Sequence, residues 1–406
     1  MSLDEAHRLD AADPLREYRG RFDLPEGVIY LDGNSLGALP KATPARLEQV
    51  VRGEWGDGLI RSWNDAGWIT LPQRVGAKIA PLIGAEAGEV IVCDSVSVNL
   101  FKLIGAALAL RPGRKVILSE PGNFPTDLYM IAGLEAQGLA ERRLAAPDVI
   151  EAALDADVAL LMLTHVHYKT GRTHDMVRLT KAAQDAGALV LWDLSHSGGA
   201  VPVDLTGCNA DFAVGCGYKY LNGGPGAPAY AYVAKRHHAA LSQPLTGWMG
   251  HAAPFAFTDD YAPAPGVDRL LAGTPGILGL AALEVGVDLI AEIEIDRLAA
   301  KSRKLSEFFR ACVAERWPDL ELVSPLDPLA RGSQLSFRHP NAYPICKALI
   351  ARGIIGDFRD PDILRFGFAP AYVSFEDVFS AADNLAQVLS TRAWDAPELQ
   401  ERAAVT

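Results

Sequence analysis

The sequence lacks several features that mark whole classes of protein. Its five cysteines show no CxxC spacing, so neither a disulfide framework nor a zinc knuckle is indicated. It has no block of lysine or arginine, and its net charge is −12, which argues against nucleic acid or an anionic membrane as a partner. No apolar run reaches transmembrane length, and the polar, acidic start does not match a secretory signal. We therefore expect a cytoplasmic protein with reduced thiols.

A metal site is not indicated either. His165 and His167 are two residues apart and would share one face of a strand, with His174 beyond them. No acidic residue or cysteine follows at a spacing typical of metal ligands. We expect no bound metal, and we find no internal repeat or low-complexity tract.

The chain has the length and composition of a globular protein with more than one domain. It has 406 residues, of which 49% are hydrophobic and 22% charged. Such a length predicts a large domain and a smaller one. From Ile91 onward, short apolar runs alternate with helical patterns, which is typical of a mostly parallel sheet with crossover helices. We assign 1–60 to an N-terminal segment contributing to the active site and small domain, 61–290 to the large domain and 291–406 to a small C-terminal α+β domain.

The most informative stretch contains an acid and a lysine at the ends of two apolar runs. Ala188–Trp192 is typical of a buried strand and is followed by Asp193. Phe212–Gly215 leads to Lys219, which stands among small and apolar residues. This pair suits pyridoxal phosphate, because the acid can keep the ring nitrogen protonated while the lysine holds the aldehyde. At this point a turn-capping aspartate and a surface lysine remain the alternative.

Polar and aromatic residues also stand in loops beside other predicted elements. Ser95 and Ser97 open a helix, where they could donate to a phosphate or serve as N-caps. Phe124 follows a strand and could stack on a flat ring or belong to the core. Residues 32–37 form a glycine-rich site loop or a plain turn. Arg365 lies in a strand among apolar residues, which indicates a carboxylate partner, either a ligand or a structural ion pair.

Five segments, taken together and in order, resemble the kynureninase family. They are Leu31–Gly37, Asn123–Asp127, Trp192–Ser197, Gly217–Gly226 and Gly247–His251. The Asp193 and Lys219 pair alone would indicate only the wider fold type, whereas the conjunction of segments is specific and extends over nearly the whole chain. The resemblance implies an α/β fold, that of the PLP-dependent transferases (aspartate aminotransferase, fold type I). It implies a large, mostly parallel-sheet domain and a smaller C-terminal α+β domain.

The resemblance also implies a role for each matching residue toward pyridoxal 5′-phosphate. Lys219 would hold the cofactor covalently, Asp193 would pair with its ring nitrogen and Phe124 would stack on the ring. The other implied cofactor contacts are Val96, Ser97, Pro125, Thr126, Asp127, Thr164, His196, Tyr218, Trp248 and Thr274. Trp248 and Thr274 would reach into the site of the neighbouring subunit, so that a homodimer with shared sites is implied.

The activity that the resemblance implies is hydrolysis of L-kynurenine to anthranilate and L-alanine, in tryptophan degradation and the kynurenine route to NAD. The residues implied to bind the substrate are Asn34, Ser35, Trp63 and Arg365. Ser35 is the candidate donor to the substrate carbonyl, and Tyr218 is the candidate general acid. Trp63 and Thr274 replace a histidine and an asparagine of animal members. That pattern resembles bacterial enzymes, which favour kynurenine over 3-hydroxykynurenine.

Two other functions remain open from the sequence. A cysteine desulfurase or an aminotransferase would share the fold type, but a desulfurase needs a mobile catalytic cysteine. Cys312 and Cys346 fall in helical patterns, which argues against that role. A non-catalytic ligand-binding or regulatory protein would have no use for Lys219.

Overall fold

The structure is a computed structural model that describes residues 1–402. Its strands are β1 Phe22–Asp23, β2 Ile29–Tyr30, β3 Leu39–Pro40, β4 Val90–Val92, β5 Val116–Ser119, β6 Glu141–Leu144, β7 Val158–Thr164, β8 Leu189–Asp193, β9 Phe212–Gly215, β10 Tyr230–Val233, β11 Glu321–Leu322, β12 Gln334–Arg338, β13 Ile354–Ile355, β14 Asp357–Arg359 and β15 Ile363–Gly367. Its α-helices are α1 Leu3–Ala11, α2 Thr43–Glu48, α3 Ser62–Asp65, α4 Leu71–Ile79, α5 Val96–Leu110, α6 Pro125–Ala136, α7 Met176–Asp185, α8 Ile277–Ile293, α9 Ile295–Arg316, α10 Ala342–Ile350, α11 Phe375–Ser390 and α12 Pro397–Gln400.

A seven-stranded sheet forms the centre of the molecule, in the order β4-β10-β9-β8-β7-β5-β6. The strands from β9 to β6 pair in parallel, and β10 runs antiparallel to both of its neighbours. Every residue of β5, β7, β8 and β9 is buried, because helices cover both faces of the sheet. The carboxyl ends of the parallel strands therefore meet at one edge, where ligands of such sheets bind.

A second sheet lies in the C-terminal part of the chain and is antiparallel, in the order β11-β12-β15-β14. Helices α9 and α11 pack against each other beside it, and α11 begins with a capping box formed by Ser374 and Asp377. The N-terminal segment joins this region, because β2 pairs in parallel with β13 and Asp32 forms a bridge with Gly367. This pairing brings the loop after β2 to the C-terminal sheet.

Most elements that the sequence pattern predicts match the observed ones, and three differ. The pattern predicts Ala229–Val233 as the strand that closes the sheet, 43–55 as a helix and 354–358 as a single strand. The prediction that Ala229–Val233 closes the sheet is wrong: β10 lies inside the sheet, whose edge strands are β4 and β6. The helix predicted over 43–55 is a short α2 that continues as a π-helical segment, Gln49–Asp57. The single strand predicted over 354–358 divides into β13 and β14, which belong to different sheets.

Two kinds of feature are absent from the described part of the chain. Within residues 1–402, no helix is both long and apolar enough to cross a membrane. Over the same range, no three histidine, cysteine, aspartate or glutamate side chains are grouped so that they could hold a metal ion.

Candidate active site

A cavity of about 430 Å³ opens at the carboxyl edge of the main sheet. Thr164 and Asp193 end the neighbouring strands β7 and β8 and are partners in register. Lys219 follows β9, and the start of α5 completes the enclosure. The predicted site residues that line this cavity are Val96, Ser97, Phe124, Thr126, Thr164, Asp193, His196, Tyr218 and Lys219. Residues from separate segments of the chain are thus brought together.

The Lys219 amine is held by a chain of hydrogen bonds that ends in the C-terminal sheet. Its Nζ lies 3.0 Å from Nε2 of His196, and the lysine is only 8% exposed. His196 Nδ1 lies 3.0 Å from the side-chain oxygen of Gln334, whose own amide nitrogen donates to the Tyr168 carbonyl at 2.9 Å. The imidazole therefore donates from Nδ1 and accepts from Lys219 at Nε2. Burial, together with the charge of Lys219, holds the pKa of His196 well below its ordinary value, so the ring is neutral.

Two buried carboxyl groups interact electrostatically with Lys219, and one of them also with the other. Asp193 accepts a hydrogen bond from the Ser195 backbone at 2.7 Å and lines the cavity. Asp127, at the start of α6, accepts from Thr164 at 3.2 Å, and its other oxygen has no partner. Burial raises the pKa of both carboxyl groups, and the charge of Asp193 raises that of Asp127 further. A cationic N–H group placed here would therefore be stabilised.

The amino end of α5 faces the cavity with free backbone N–H groups. Val96 and Ser97 lie in its first turn, where the helix dipole favours an anion. Ser95 is the N-cap, since its hydroxyl accepts from the Val98 backbone at 3.4 Å. Of the two roles considered for Ser95, capping is the one observed.

Phe124 forms one wall of the cavity. Its ring centroid is 5.8 Å from the Lys219 amine, and its edge packs on Tyr168 with centroids 5.3 Å apart. The residue is 36% exposed, so the alternative of a core residue is wrong. Pro125 follows it as the first residue of α6 and does not line the cavity.

A buried ion cluster adjoins the cavity through Tyr168. Arg365, 1% exposed, donates from Nε to Asp357 at 2.8 Å, from Nη1 to the Tyr168 carbonyl at 2.7 Å and from Nη2 to Ser35 at 2.9 Å. Ser35 donates to Asp357 at 2.9 Å, and Arg359 lies 2.7 Å from the same carboxylate. Asn34 is buried beside Arg365, and with its amide flipped it accepts from Arg365 Nε at 3.0 Å. Both alternatives for Arg365 involved a carboxylate, and in this structure the partner is Asp357.

Loop 32–37 passes closely over the lysine segment, and this contact requires glycine. The Gly37 N–H donates to the Tyr218 carbonyl at 2.8 Å. A Cβ at Gly37 would meet the Lys219 carbonyl oxygen, and it would lie 2.8 Å from the Cα of Asn222. The loop thus connects the ion cluster to the cavity by backbone contact.

We expect Gly37→Ala to destabilise the fold by about 1–3 kcal/mol, because backbone must move to admit the methyl group. The change is measured as the fall in Tm of the purified protein. Gly20→Ala is the matched control, since a Cβ there meets nothing within 4 Å. Equal melting temperatures for the two variants would contradict the close contact.

Besides Pro125, Asp127 and the ion-cluster residues Asn34, Ser35 and Arg365, three more predicted site residues do not line the cavity of their own chain. Trp63 packs edge-on against Trp68, with ring centroids 5.9 Å apart. Trp248 is 40% exposed beside Phe255. Thr274 is exposed in a depression that shares Asp94 and Gly226 with the cavity.

The residues present fit pyridoxal phosphate. The partnerless oxygen of Asp127 and the raised pKa of Asp193 match a protonated ring nitrogen. The start of α5 matches a phosphate, and the Lys219 amine matches an aldehyde. Phe124 lines the same cavity and supplies a flat aromatic face for the pyridine ring.

Comparison with known proteins decides the family. The chain is 53% identical over 412 residues to a protein of Burkholderia pseudomallei (strain K96243) named kynureninase, with 99% of each chain covered. It is 48% identical to a kynureninase of Pseudomonas fluorescens, with 98% of each covered. The chain belongs to the kynureninase family. Residues 298–385 also match the model of the kynureninase C-terminal domain.

Solved structures confirm the predicted fold class. A cysteine desulfurase from Thermococcus onnurineus NA1 superposes with a TM-score of 0.79 at 20% identity, covering 92% of this chain and 98% of that one. The cysteine desulfurase CsdA from Escherichia coli gives a TM-score of 0.78 at 22% identity, covering 93% and 98%. The C-DES enzyme, in a variant with glycine covalently linked to its PLP cofactor, gives 0.79 at 16%, covering 91% and 98%. These likenesses concern the fold alone.

The cysteines of this chain do not suit desulfurase chemistry. Cys312 and Cys346 lie in the helices α9 and α10, as predicted, and both are buried. Cys216 lines the cavity, but its thiol lies 3.7 Å from the Ser195 carbonyl and burial raises its pKa. A buried thiol of this kind is not a ready nucleophile.

Several residues of the site were not predicted from the sequence. Gln334 and Tyr168 form the link from the lysine to the C-terminal sheet, and Asp357 and Arg359 surround Ser35. The run Asp357-Phe358-Arg359 alternates charge and ring in a strand, and this was the one available signal for two of them.

Proposed function

We propose that this protein hydrolyses L-kynurenine to anthranilate and L-alanine with pyridoxal 5′-phosphate as its cofactor. One observation carries the proposal: the chain matches kynureninases over its full length, and its Lys219 and Asp193 face one cavity. The reaction would serve tryptophan degradation through kynurenine. We propose that the protein is cytoplasmic. We also propose that its N-terminal segment, large domain and small C-terminal domain comprise residues 1–60, 61–290 and 291–406.

The cofactor, when bound, supplies an aldehyde for a lysine amine and a ring that accepts electrons. Lys219 would hold the aldehyde, and Asp193 would keep a proton on the ring nitrogen. The N–H groups of Val96 and Ser97 would bind the phosphate. Thr126, Asp127 and Thr164 would line the cofactor from the α6 side.

Proton transfers fall to three side chains of this chain. The Lys219 amine, oriented by neutral His196, removes the proton from the α-carbon of the substrate. Water adds to the γ-carbonyl, whose oxygen gains charge, and the Ser35 hydroxyl would donate to it by turning away from Asp357. Burial raises the pKa of Tyr218, so its hydroxyl stays protonated and can protonate the β-carbon as the Cβ–Cγ bond breaks.

The substrate is bound through its α-carboxylate. Arg365 is the proposed partner, supported by Ser35 and Asn34 at the same guanidinium. Trp63 offers an indole, which donates but does not accept hydrogen bonds. We therefore propose that kynurenine is preferred over 3-hydroxykynurenine.

The test is a product assay with both substrates in parallel. Anthranilate fluorescence on addition of kynurenine is the expected result, with slower turnover of the hydroxylated form. A visible absorbance band that borohydride removes would mark cofactor held by lysine. If that band were present and no anthranilate formed, the cofactor assignment would stand and the substrate would be wrong.

We further propose a homodimer in which each site is completed by the partner subunit. Trp248, Phe255, Phe257 and Tyr261 form a surface cluster, with 40%, 60%, 78% and 40% of each residue exposed. So many exposed aromatic groups in one patch are typical of an interface. Thr274 stands next to the cavity rim, consistent with a site near that interface.

Shared sites predict complementation between two defective chains. We expect Trp248→Ala and Lys219→Ala homodimers each to be impaired. In a co-expressed heterodimer, one of the two sites would combine Lys219 of the Trp248→Ala chain with Trp248 of the Lys219→Ala chain. That site would have both side chains and would regain turnover. The measurement is anthranilate formation by the purified heterodimer. If it is no more active than the two homodimers, each chain builds its own site.

A further inference from the structure

Loop 32–37 places a carboxyl group in the ion cluster that the proposed mechanism leaves unused. Asp32 follows β2 and forms a backbone bridge with Gly367, at the end of β15. The Gly367 N–H donates to the Leu31 carbonyl at 2.7 Å, and the Ser35 N–H donates to the Asp32 carbonyl at 2.9 Å, so the backbone on both sides of Asp32 is fixed. Its side chain faces Asp357 and Ser35.

Asp357 is the ionised member of the two acids. Its carboxylate accepts from Arg365 and Ser35 and lies 2.7 Å from Arg359. Burial alone would raise its pKa, but the two guanidinium groups outweigh burial and hold the pKa below its ordinary value.

Asp32 has weaker support. Among residues 1–402, no lysine or arginine donates a hydrogen bond to its carboxyl group, and the charge of Arg365 together with a hydrogen bond from Ser35 does not outweigh burial and the charge of Asp357. The carboxyl group of Asp357 lies within hydrogen-bonding reach of that of Asp32. Burial, and then the charge of Asp357, raise the pKa of Asp32 to about 7. One proton shared by two adjacent carboxyl groups accounts for this arrangement.

The charge of the cluster depends on that proton. With Asp32 neutral, one carboxylate faces the guanidinium groups of Arg359 and Arg365, and one positive charge is left over. With Asp32 ionised, positive and negative charges balance. An added carboxylate would then leave an unpaired negative charge in a largely buried place, which is costly.

We propose that Asp32 is a proton-holding positioning residue, which must be neutral for the cluster to accept the α-carboxylate of the substrate. Binding of the substrate carboxylate is therefore coupled to the binding of a proton by Asp32. This inference rests on the proposed function, because it presumes an amino-acid substrate bound near Arg365. Asp32 acts through Asp357 and Ser35 and does not touch the reacting bond.

The other titratable groups around Asp32 keep a constant charge near neutral pH. The charged ones are Asp357, Arg359 and Arg365. Four neutral ones are also near, and burial raises the pKa of each: Tyr30, Cys346, Tyr220 and Tyr372. A change of charge in this cluster around pH 7 is thus a change at Asp32.

The direction of the pH effect follows by linkage. A bound carboxylate stabilises the neutral form of Asp32 and raises its pKa further, so that binding above about pH 7 takes up a proton. Affinity is therefore full at lower pH and falls as the pH rises through the pKa of the free protein.

The test uses 4-oxo-4-phenylbutanoate, which has the carboxylate and ketone of the substrate but no amine to react with the cofactor. Calorimetry on the holoenzyme, in two buffers of different ionisation heat, gives both Kd and proton uptake. For the wild type we expect Kd to rise about tenfold between about pH 7 and about pH 8.5, with net proton uptake at the higher pH. Asp32→Asn, which mimics the neutral acid, should remove most of both effects. Asp148→Asn, an exposed acid, is the control and should behave as the wild type.

The outcomes separate the inference from the proposed function. If the wild type forms anthranilate and Asp32→Asn keeps its pH dependence and proton uptake, the inference is overturned alone. If the wild type forms no anthranilate, the proposed function fails first. Should Asp32→Asn not fold, the wild type still decides, because binding without proton uptake at the higher pH overturns the inference.

Discussion

Replacing Lys219 with alanine is expected to lower kcat for kynurenine by about 10⁴-fold or more, the upper range of a general base that also holds a cofactor. The amine is the only lysine nitrogen that lines the cavity within the described residues. His196 is neutral and hydrogen-bonded to it, so no neighbouring base of matching strength replaces it. The visible absorbance band of the holoenzyme should be lost with it.

Chemical rescue distinguishes a lost base from a damaged fold. Added ethylamine should restore part of the turnover of Lys219→Ala, because a small amine can enter the space that the side chain vacates. Lys181→Ala removes an exposed lysine paired with Asp185 and is the matched control. A Lys219→Ala variant within about tenfold of wild-type kcat would contradict the role assigned to this amine.

The large sheet and the centre of the site could be predicted from the sequence for a physical reason. β7 and β8 are buried on both faces, so they are continuous apolar runs, and the polar residue after such a run must stand at the sheet edge. Asp193 was identified in that way. Lys219 follows the same rule one strand further along.

The direction of β10 and its position in the sheet could not be predicted in the same way. A four-residue apolar run has the same composition whether it pairs parallel or antiparallel, at an edge or in the interior. Its place between β4 and β9 depends on the path of the chain after Lys219, which local patterns do not encode.

The supports of the site depend on contacts between distant parts of the chain. Gln334 meets His196 across 138 residues of sequence, and Asp357 meets Ser35 across 322. A glutamine in a strand has no local signature of such a role, and the alternating pattern around Asp357 does not identify Ser35 as its partner. Glycine gave a partial signal, because Gly37 is required by the close approach of two backbones.

Replacing Asp193 with asparagine is expected to lower kcat by about 10²- to 10⁴-fold while the fold and the covalent attachment are kept. The amide oxygen can still accept from the Ser195 backbone, so the local geometry survives. An amide carries no charge, however, and cannot keep a proton on the ring nitrogen. The measurement is kcat for kynurenine together with the absorbance band, which should persist in this variant and disappear in Lys219→Ala.

Asp211→Asn is the matched control, because Asp211 is equally buried but precedes β9, at the amino end of the parallel strands, whereas Asp193 stands at their carboxyl end. It pairs with Arg236 and His237 and accepts from the Val190 backbone, so its loss should reduce Tm without lowering kcat at temperatures where the variant is folded. If both variants lost turnover equally, buried charge in general would be responsible. A selective loss at Asp193 would instead tie turnover to a negative charge at the carboxyl end of β8, as a protonated ring requires.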